Sequence, residues 1–229
     1  MHKLFLLIAL FVAHNSWAQE NVTDAEGRKQ GKWQKFYDNG KLRYSGQFVD
    51  DIPVGVFIYY YETGIVLAEN TYDGNSGNSY SKQFNEKGVL IAEGNYVGRE
   101  KDGIWRIYSE DAALIAEESY KTGVKHGAWV TYYPNGIVTE RIEYKDGKKH
   151  GLWIQKYESG KTKAKGNYAD GKLNGECAYF NELGKPVMRG TYKNGLKEGV
   201  WLVFEDGHPS AKETYKKGKL IKSTELKKD

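Results

Sequence analysis

The chain has 229 residues, with 34 Lys and Arg against 30 Asp and Glu, a formal charge of +4 and one cysteine, Cys177. A single cysteine excludes an intramolecular disulfide and a zinc site built on cysteines, so stability has to come from packing. Gly (27) and Tyr (18) are frequent, Pro (4) is scarce and aromatic residues reach 14%, which excludes a disordered chain despite a mean hydropathy of −0.70. That composition points to many strands joined by tight turns.

The N-terminus, MHKLFLLIALFVAHNSWAQE, sets Lys3 ahead of an apolar run from Leu4 to Ala13, and small residues follow at Ser16 and Ala18. This is the grammar of a signal peptide over 1–18, cleaved between Ala18 and Gln19. The ten apolar residues from Leu4 to Ala13 rise only about 15 Å as a helix, half of a bilayer core, which speaks against a retained anchor. No cysteine follows the run to accept a lipid. The expected product is an exported protein, periplasmic or secreted, that is not integral to a membrane.

After an N-terminal cap over 19–30, eight tandem units of 24 residues fill 31–220, starting at Gly31, Gly55, Ser79, Gly103, Gly127, Gly151, Gly175 and Gly199; the eighth unit loses one residue. Two positions after each start stand Trp33, Phe57, Ser81, Trp105, Trp129, Trp153, Cys177 and Trp201. Three residues further come Phe36, Tyr60, Phe84, Tyr108, Tyr132, Lys156, Phe180 and Phe204, then a turn glycine such as Gly40 or Gly136. A second segment ends on Phe48, Tyr72, Tyr96, Tyr120, Tyr144, Tyr168, Tyr192 and, one residue early, Tyr215. The tryptophans Trp33, Trp105, Trp129, Trp153 and Trp201, with the tyrosines from Tyr72 to Tyr192 on that second phase, form the expected repeat core.

Each unit has room for two strands and no helix. A turn such as YPNG at 133–136 joins them, its Asn-Gly step supplying positive φ, and Gly, Asp and Lys mark a second turn between units, as in KDGKKHG at 145–151. Leu42, Tyr44, Gly46 and Phe48 alternate with Lys41, Arg43, Ser45 and Gln47, giving one apolar and one wet face. In the first strand the Trp and the later aromatic have opposite parity, so either a bulge intervenes or both faces are partly covered. The expected fold is all-β: an elongated, twisted antiparallel β-sheet solenoid of β-hairpin repeats. Sixteen strands would extend it on the order of 75 Å. Its ends need caps, and residues 221–229 form a flexible tail.

The phrases GKWQKFYDNGKLRYSGQF, GAWVTYYPNGIVTERIEY and GLWIQKYESGKTKAKGNY resemble the MORN-repeat variant (membrane occupation and recognition nexus) of bacterial proteins, over roughly 27–220. The resemblance implies tandem β-hairpins and, for some bacterial members, an antitoxin or immunity role; it brings no catalytic motif. The third unit departs from the pattern at Ser79 and Ser81, which predicts weaker packing and a bend there.

Residues that break the repeat rule are the ones to examine for chemistry. Cys177 stands on the Trp phase and reads as a small buried residue in a strand. His126 and His150 share a phase about 10 Å apart but lack further ligands for zinc. Glu69, Glu93 and Glu117 recur on one phase, too far apart for a glycosidase pair, and read as a solvated ladder. No phosphate-cradling loop is present. The sequence thus offers no catalytic, cofactor or metal residues, and predicts no enzyme.

Charge is more informative. Residues 19–114 hold 11 Lys and Arg against 15 Asp and Glu, and 115–229 hold 22 against 15. The basic excess gathers near the inter-unit turns, at Lys121, Lys125, Lys145, Lys148, Lys149, Lys193 and Lys197, predicting a stripe along one edge that either blocks edge-to-edge aggregation or attracts an anionic partner. Nucleic acid does not suit an exported protein. The reading is a non-enzymatic scaffold of the cell envelope or secreted space that binds a protein or glycan. The alternatives are an antitoxin or immunity protein that occludes a toxin, and a peripheral binder of anionic lipid or envelope polymer.

Overall fold

A computed structural model describes residues 20–227, so the segment read as a signal peptide, with the Ala18–Gln19 junction, lies outside the described residues. Among those described there is no helix, and 19 strands form one open sheet. Successive strands pair antiparallel, except that Lys172–Leu173 and Gly175–Phe180 both pair with Thr162–Ala169, and extensive contacts run only between paired strands.

Sixteen strands were expected from eight hairpins. Two of the extra strands are end pieces, Val22–Thr23, paired with Gln30 and Lys29, and Lys219–Glu225, paired with His208–Lys216. The third arises because Asn174 splits the first strand of the seventh unit into Lys172–Leu173 and Gly175–Phe180. The tail does not fray at 221 as expected. It continues as an edge strand to Glu225, held by backbone pairing although every residue in it is exposed.

The two kinds of turn differ in backbone chemistry. Within a unit, Tyr37 N–H donates to the Lys41 carbonyl at 2.8 Å, Gly40 N–H donates to the Tyr37 carbonyl at 2.9 Å, and the glycine takes φ +79. This is the three-residue loop closed by a left-handed bulge glycine; Asn39 itself is not left-handed. Between most units the loop has two residues, both left-handed, as at Asp146 (φ 49) and Gly147 (φ 80); the junction before the third unit is instead the longer loop 73–78, and before the fourth only Gly98 is left-handed. The eighth hairpin adopts this second type at Asp206 (φ 51) and Gly207 (φ 90), which accounts for its missing residue.

The glycine that opens a unit is also left-handed, +90° at Gly127, and the pairing register shifts beside it, between Lys125 and Trp129. The parity conflict within the first strand resolves in favour of two covered faces. The bulge at an opening glycine precedes both residues, and the later aromatic, such as Tyr108 bonded to Glu93, lies on the face opposite the tryptophan. The tryptophans occupy one face, called here the ring face; the Glu69, Glu93 and Glu117 phase occupies the other.

The ring face holds the core. Trp105 and Trp201 are fully buried, with Phe57, Trp153 and Cys177 close behind. Three of the rings lie on the second-strand glycine of the preceding unit: a Cβ on Gly94 would come within 2.6 Å of the Trp105 ring, and one on Gly46 or Gly190 would collide with Phe57 or Trp201. Edge-to-face tyrosines close the packing, with Tyr96–Trp105 centroids at 4.9 Å and Tyr192–Trp201 at 5.0 Å. The indole N–H groups of Trp105, Trp129 and Trp201 donate to the carbonyls of Asn95, Ser119 and Thr191, at the register shifts, so the bulge leaves no buried acceptor there. Trp33 and Trp129 are only half-buried. Trp33 stands at the end of the array, and Trp129 faces Glu118 where Phe57, Trp105 and Trp201 meet glycine.

The third unit is regular rather than bent. Ser79 does not adopt the left-handed conformation, so Tyr72 to Ala68 pair with Ser79 to Gln83 without a register shift. Ser81, 1% exposed, stands where a ring would sit, and Asn70 replaces the glycine opposite it and takes up the space. The cost is Asn70 Oδ1, buried without a hydrogen-bond partner among the described residues.

Candidate binding face

The lysines expected as one stripe divide into two sets. Lys121, Lys145, Lys148 and Lys193 are exposed beside the inter-unit turns. Lys125, Lys149 and Lys197 instead lie over the ring face. The Lys125 ammonium stands 3.8 Å from the Trp129 ring centroid, Lys149 is 5.1 Å from Tyr168, and Lys197 is 4.5 Å from Trp201. Lys29 and Lys101 share this phase and pose, with Lys101 4.2 Å from Trp105. Stacked turns hold the lysines there, since Gly147 N–H donates to the Lys125 carbonyl and Gly171 N–H to the Lys149 carbonyl. The apolar stems cover the rings and the ammonium groups meet the π faces, so these lysines serve packing. The sequence reading missed this because it counted basic residues by half of the chain rather than by phase.

The residues singled out for chemistry remain structural. The Cys177 thiol is buried and its pKa is raised by that burial, which keeps it protonated and unreactive. Tyr179, pushed up strongly by burial and by its bond to Tyr192, shares the same environment. His126 Nδ1 lies 3.6 Å from Asp146 in an exposed turn. Among the described residues no three His, Cys, Asp or Glu side chains come together as metal ligands.

The face opposite the rings carries the organised chemistry. One row of directly opposed residues crosses the sheet strand by strand. In the first half it runs Ile58, Glu69, Lys82, Glu93, Arg106, Glu117. In the second half it runs Val130, Arg141, Ile154, Lys165, Ala178, Arg189, Leu202, Lys212.

The first half is neutralised internally. Arg106 Nε reaches Glu117 Oε1 at 3.3 Å, the Tyr108 hydroxyl donates to Glu93 at 2.7 Å, and the Tyr132 hydroxyl donates to Glu117 at 2.8 Å. The hydroxyl of Tyr108, with Tyr80, Lys82 and Arg106 also contributing, holds the Glu93 carboxyl below its ordinary range, whereas burial first and then Glu93 push Tyr108 up to about 12. Two of the carboxylates expected as a solvated ladder, Glu93 and Glu117, are thus part-buried acceptors for tyrosines contributed by the following unit, whereas for Glu69 the corresponding position is Phe84.

In the second half the carboxylates are gone from the row and aliphatic residues separate the cations. Arg141 bonds Glu143 at 3.1 Å, but Lys165, Arg189 and Lys212 enter no ion pair among the described residues. These three are exposed and line an open cavity of about 1040 Å³ whose apolar surface comes from Leu152, Phe180, Val200 and Leu202, with Glu176 its one carboxylate. Val200 is 56% and Leu152 40% exposed. Arg189 and Lys165 lie loosely over Phe204 and Phe180, 5.5 and 5.8 Å from the ring centroids. The surface sets apolar patches between cations that have no ion-pair partner among the described residues, and its lining residues form no arrangement of nucleophile and base.

Fold and face together define a non-globular β-hairpin repeat protein with one face packed and the other available. The MORN repeat variant profile matches residues 29–50, 53–73, 125–146 and 149–170, and the chain is a MORN-repeat protein. Repeats of this kind generally act as binding or scaffold elements. No curated protein matches the chain.

Proposed function

We propose that this protein is an exported, non-catalytic scaffold that docks an acidic protein partner on the second half of the face opposite the tryptophans. The observation that carries the reading is the contrast within one row: Glu69 to Glu117 are opposed by Lys82 and Arg106, whereas Lys165, Arg189 and Lys212 are opposed only by aliphatic residues and Thr224. Exposed cations spaced by exposed aliphatic side chains are suited to a partner that brings carboxylates and apolar groups together. Export rests on the N-terminal apolar run and the small residues at Ser16 and Ala18.

The test is affinity capture from envelope and secreted fractions with the wild-type protein and with Lys165→Glu/Arg189→Glu. The expected result is one stoichiometric protein, retained by the wild type and lost with the charge reversal. Capture that survives the reversal, or recovery of lipid or polymer alone, overturns the proposal. Export is tested separately, by locating the protein in cell fractions and sequencing its N-terminus; retention in the cytoplasm with an intact Met1 refutes it.

A further inference from the structure

The spacing of the unpaired cations specifies the shape of what binds them. This inference rests on the docking surface just proposed and concerns the conformation and charge period of its ligand. Lys165, Arg189 and Lys212 stand two strands apart along the row, which is about 9.4–9.8 Å between successive cations. A chain lying along the row, across the strands, has to return a carboxylate to the same side at that interval. An extended β-strand repeats its face at about 6.7 Å or 13 Å and misses it. An α-helix returns at about 10.5 Å over seven residues, overshooting at each step. A polyproline II segment has three residues per turn and rises about 3.1 Å per residue, so every third side chain falls on one side at about 9.3 Å.

We infer that the second-half face recognises a polyproline II segment of an acidic protein, with carboxylates at every third residue meeting Lys165, Arg189 and Lys212 and apolar residues between them resting on Leu202 and Val200. Two intervals correspond to about seven residues. The length is bounded from the other side too, because sheet twist turns the row by roughly 40–50° for each pair of strands and carries a longer straight segment off it. Backbone hydrogen bonding is not needed for this mode, since the strands of the sheet already pair with one another and the ligand crosses them. A preformed polyproline II chain also loses little entropy on binding.

The experiment measures fluorescence anisotropy of labelled peptides with the purified protein at low salt. The periodic peptide Glu-Pro-Leu-Glu-Pro-Leu-Glu is compared with its isomer Glu-Glu-Glu-Pro-Leu-Pro-Leu and with a Gln-for-Glu version of the first. The expected result is that the periodic peptide binds about tenfold or more tighter than its isomer, that the Gln version does not bind, and that Arg189→Glu removes the preference while circular dichroism shows the fold intact. Equal binding of the two isomers overturns the inference and leaves a general acidic docking surface standing. Absence of peptide binding, with a captured protein still lost on charge reversal, also overturns the inference alone. Sedimentation with phosphatidylserine vesicles, and no binding of any peptide or protein, overturns the docking surface as well.

Discussion

The two halves of the array share one fold and treat their outer face in opposite ways. In the first half, the row from Glu69 to Glu117 alternates in sign, and tyrosines from the following unit bond Glu93 and Glu117 while Arg106 pairs with Glu117, so these three groups find partners within the chain. In the second half, the same positions alternate cation with aliphatic residue, and nothing in the row answers Lys165, Arg189 or Lys212. Cross-strand pairs of opposite charge stabilise a sheet, whereas isolated cations beside aliphatic groups contribute little to the chain that bears them. One half invests its outer face in stability and the other leaves it open to a partner, which a repeat fold permits because each unit is held mainly by its neighbours.

The comparison requires the ring face to be equivalent in both halves. Trp105→Ala and Trp201→Ala remove fully buried rings seated on Gly94 and Gly190. Each should cost about 3–5 kcal/mol in urea unfolding followed by circular dichroism. A large inequality between the two would mean that the halves differ in their core and not only in their outer face.

The next effect separates the halves directly. Glu93→Ala leaves the Tyr108 hydroxyl without its acceptor and removes a carboxylate from the ladder, an expected loss of about 1–3 kcal/mol. Lys165→Ala, at an exposed position with no ion pair, should change stability by no more than about 0.5 kcal/mol while weakening partner binding. If Lys165→Ala destabilises the protein as much as Glu93→Ala does, the second half is structural too and the division of labour fails.

Acid should expose the same difference. Glu93 is held below the ordinary carboxylate range by the Tyr108 hydroxyl. Its contribution is therefore present above the unfolded pKa and declines as pH falls through the folded value. Thermal melts between pH 6 and pH 3 should show an acid limb that Glu93→Gln flattens and Arg189→Gln leaves unchanged. An identical limb in all three proteins would show that the Glu93–Tyr108 bond contributes nothing measurable.

The repeat period, the hairpins and the ring phase were legible because a 24-residue spacing fixes which residues share a position, and burial of large aromatics enforces it. The MORN resemblance followed from the same residues. The outer face was less legible. Its row joins the fourth residue of each unit to a position on the next strand set by turn type, so a register error of one residue sends every side chain to the wrong side. The bulge at each opening glycine introduces such a shift, and only with the pairing in hand does Lys165 line up with Arg189 and Lys212. The lysine stripe was misplaced for the same reason: Lys125 and Lys149 lie close in sequence to exposed turn lysines, yet turn stacking carries them over Trp129 and Tyr168. Ser79 and Ser81 read as defects until Asn70 is seen opposite Ser81, filling the seat a ring would need.

The smallest expected effect lies on the boundary between the halves. Six hairpin turns carry glycine at the left-handed closing position, but the fourth unit places Ala112 there at φ 59. Its turn still forms, with Ala112 N–H donating to the Ser109 carbonyl at 3.0 Å and Ser109 N–H to the Ala113 carbonyl at 2.8 Å. A Cβ in that conformation crowds the backbone, at a cost of roughly 1–2 kcal/mol, part of which glycine gives back through its freer unfolded chain. Ala112→Gly should therefore raise stability by about 0.5–1 kcal/mol. The change lies remote from Lys165, Arg189 and Lys212, so partner affinity should not move. A gain in stability with unchanged affinity would confirm that the hairpin closures support the scaffold and leave recognition to the second half of the row. A change in affinity would show instead that the fourth hairpin sets the twist on which the spacing of those cations depends.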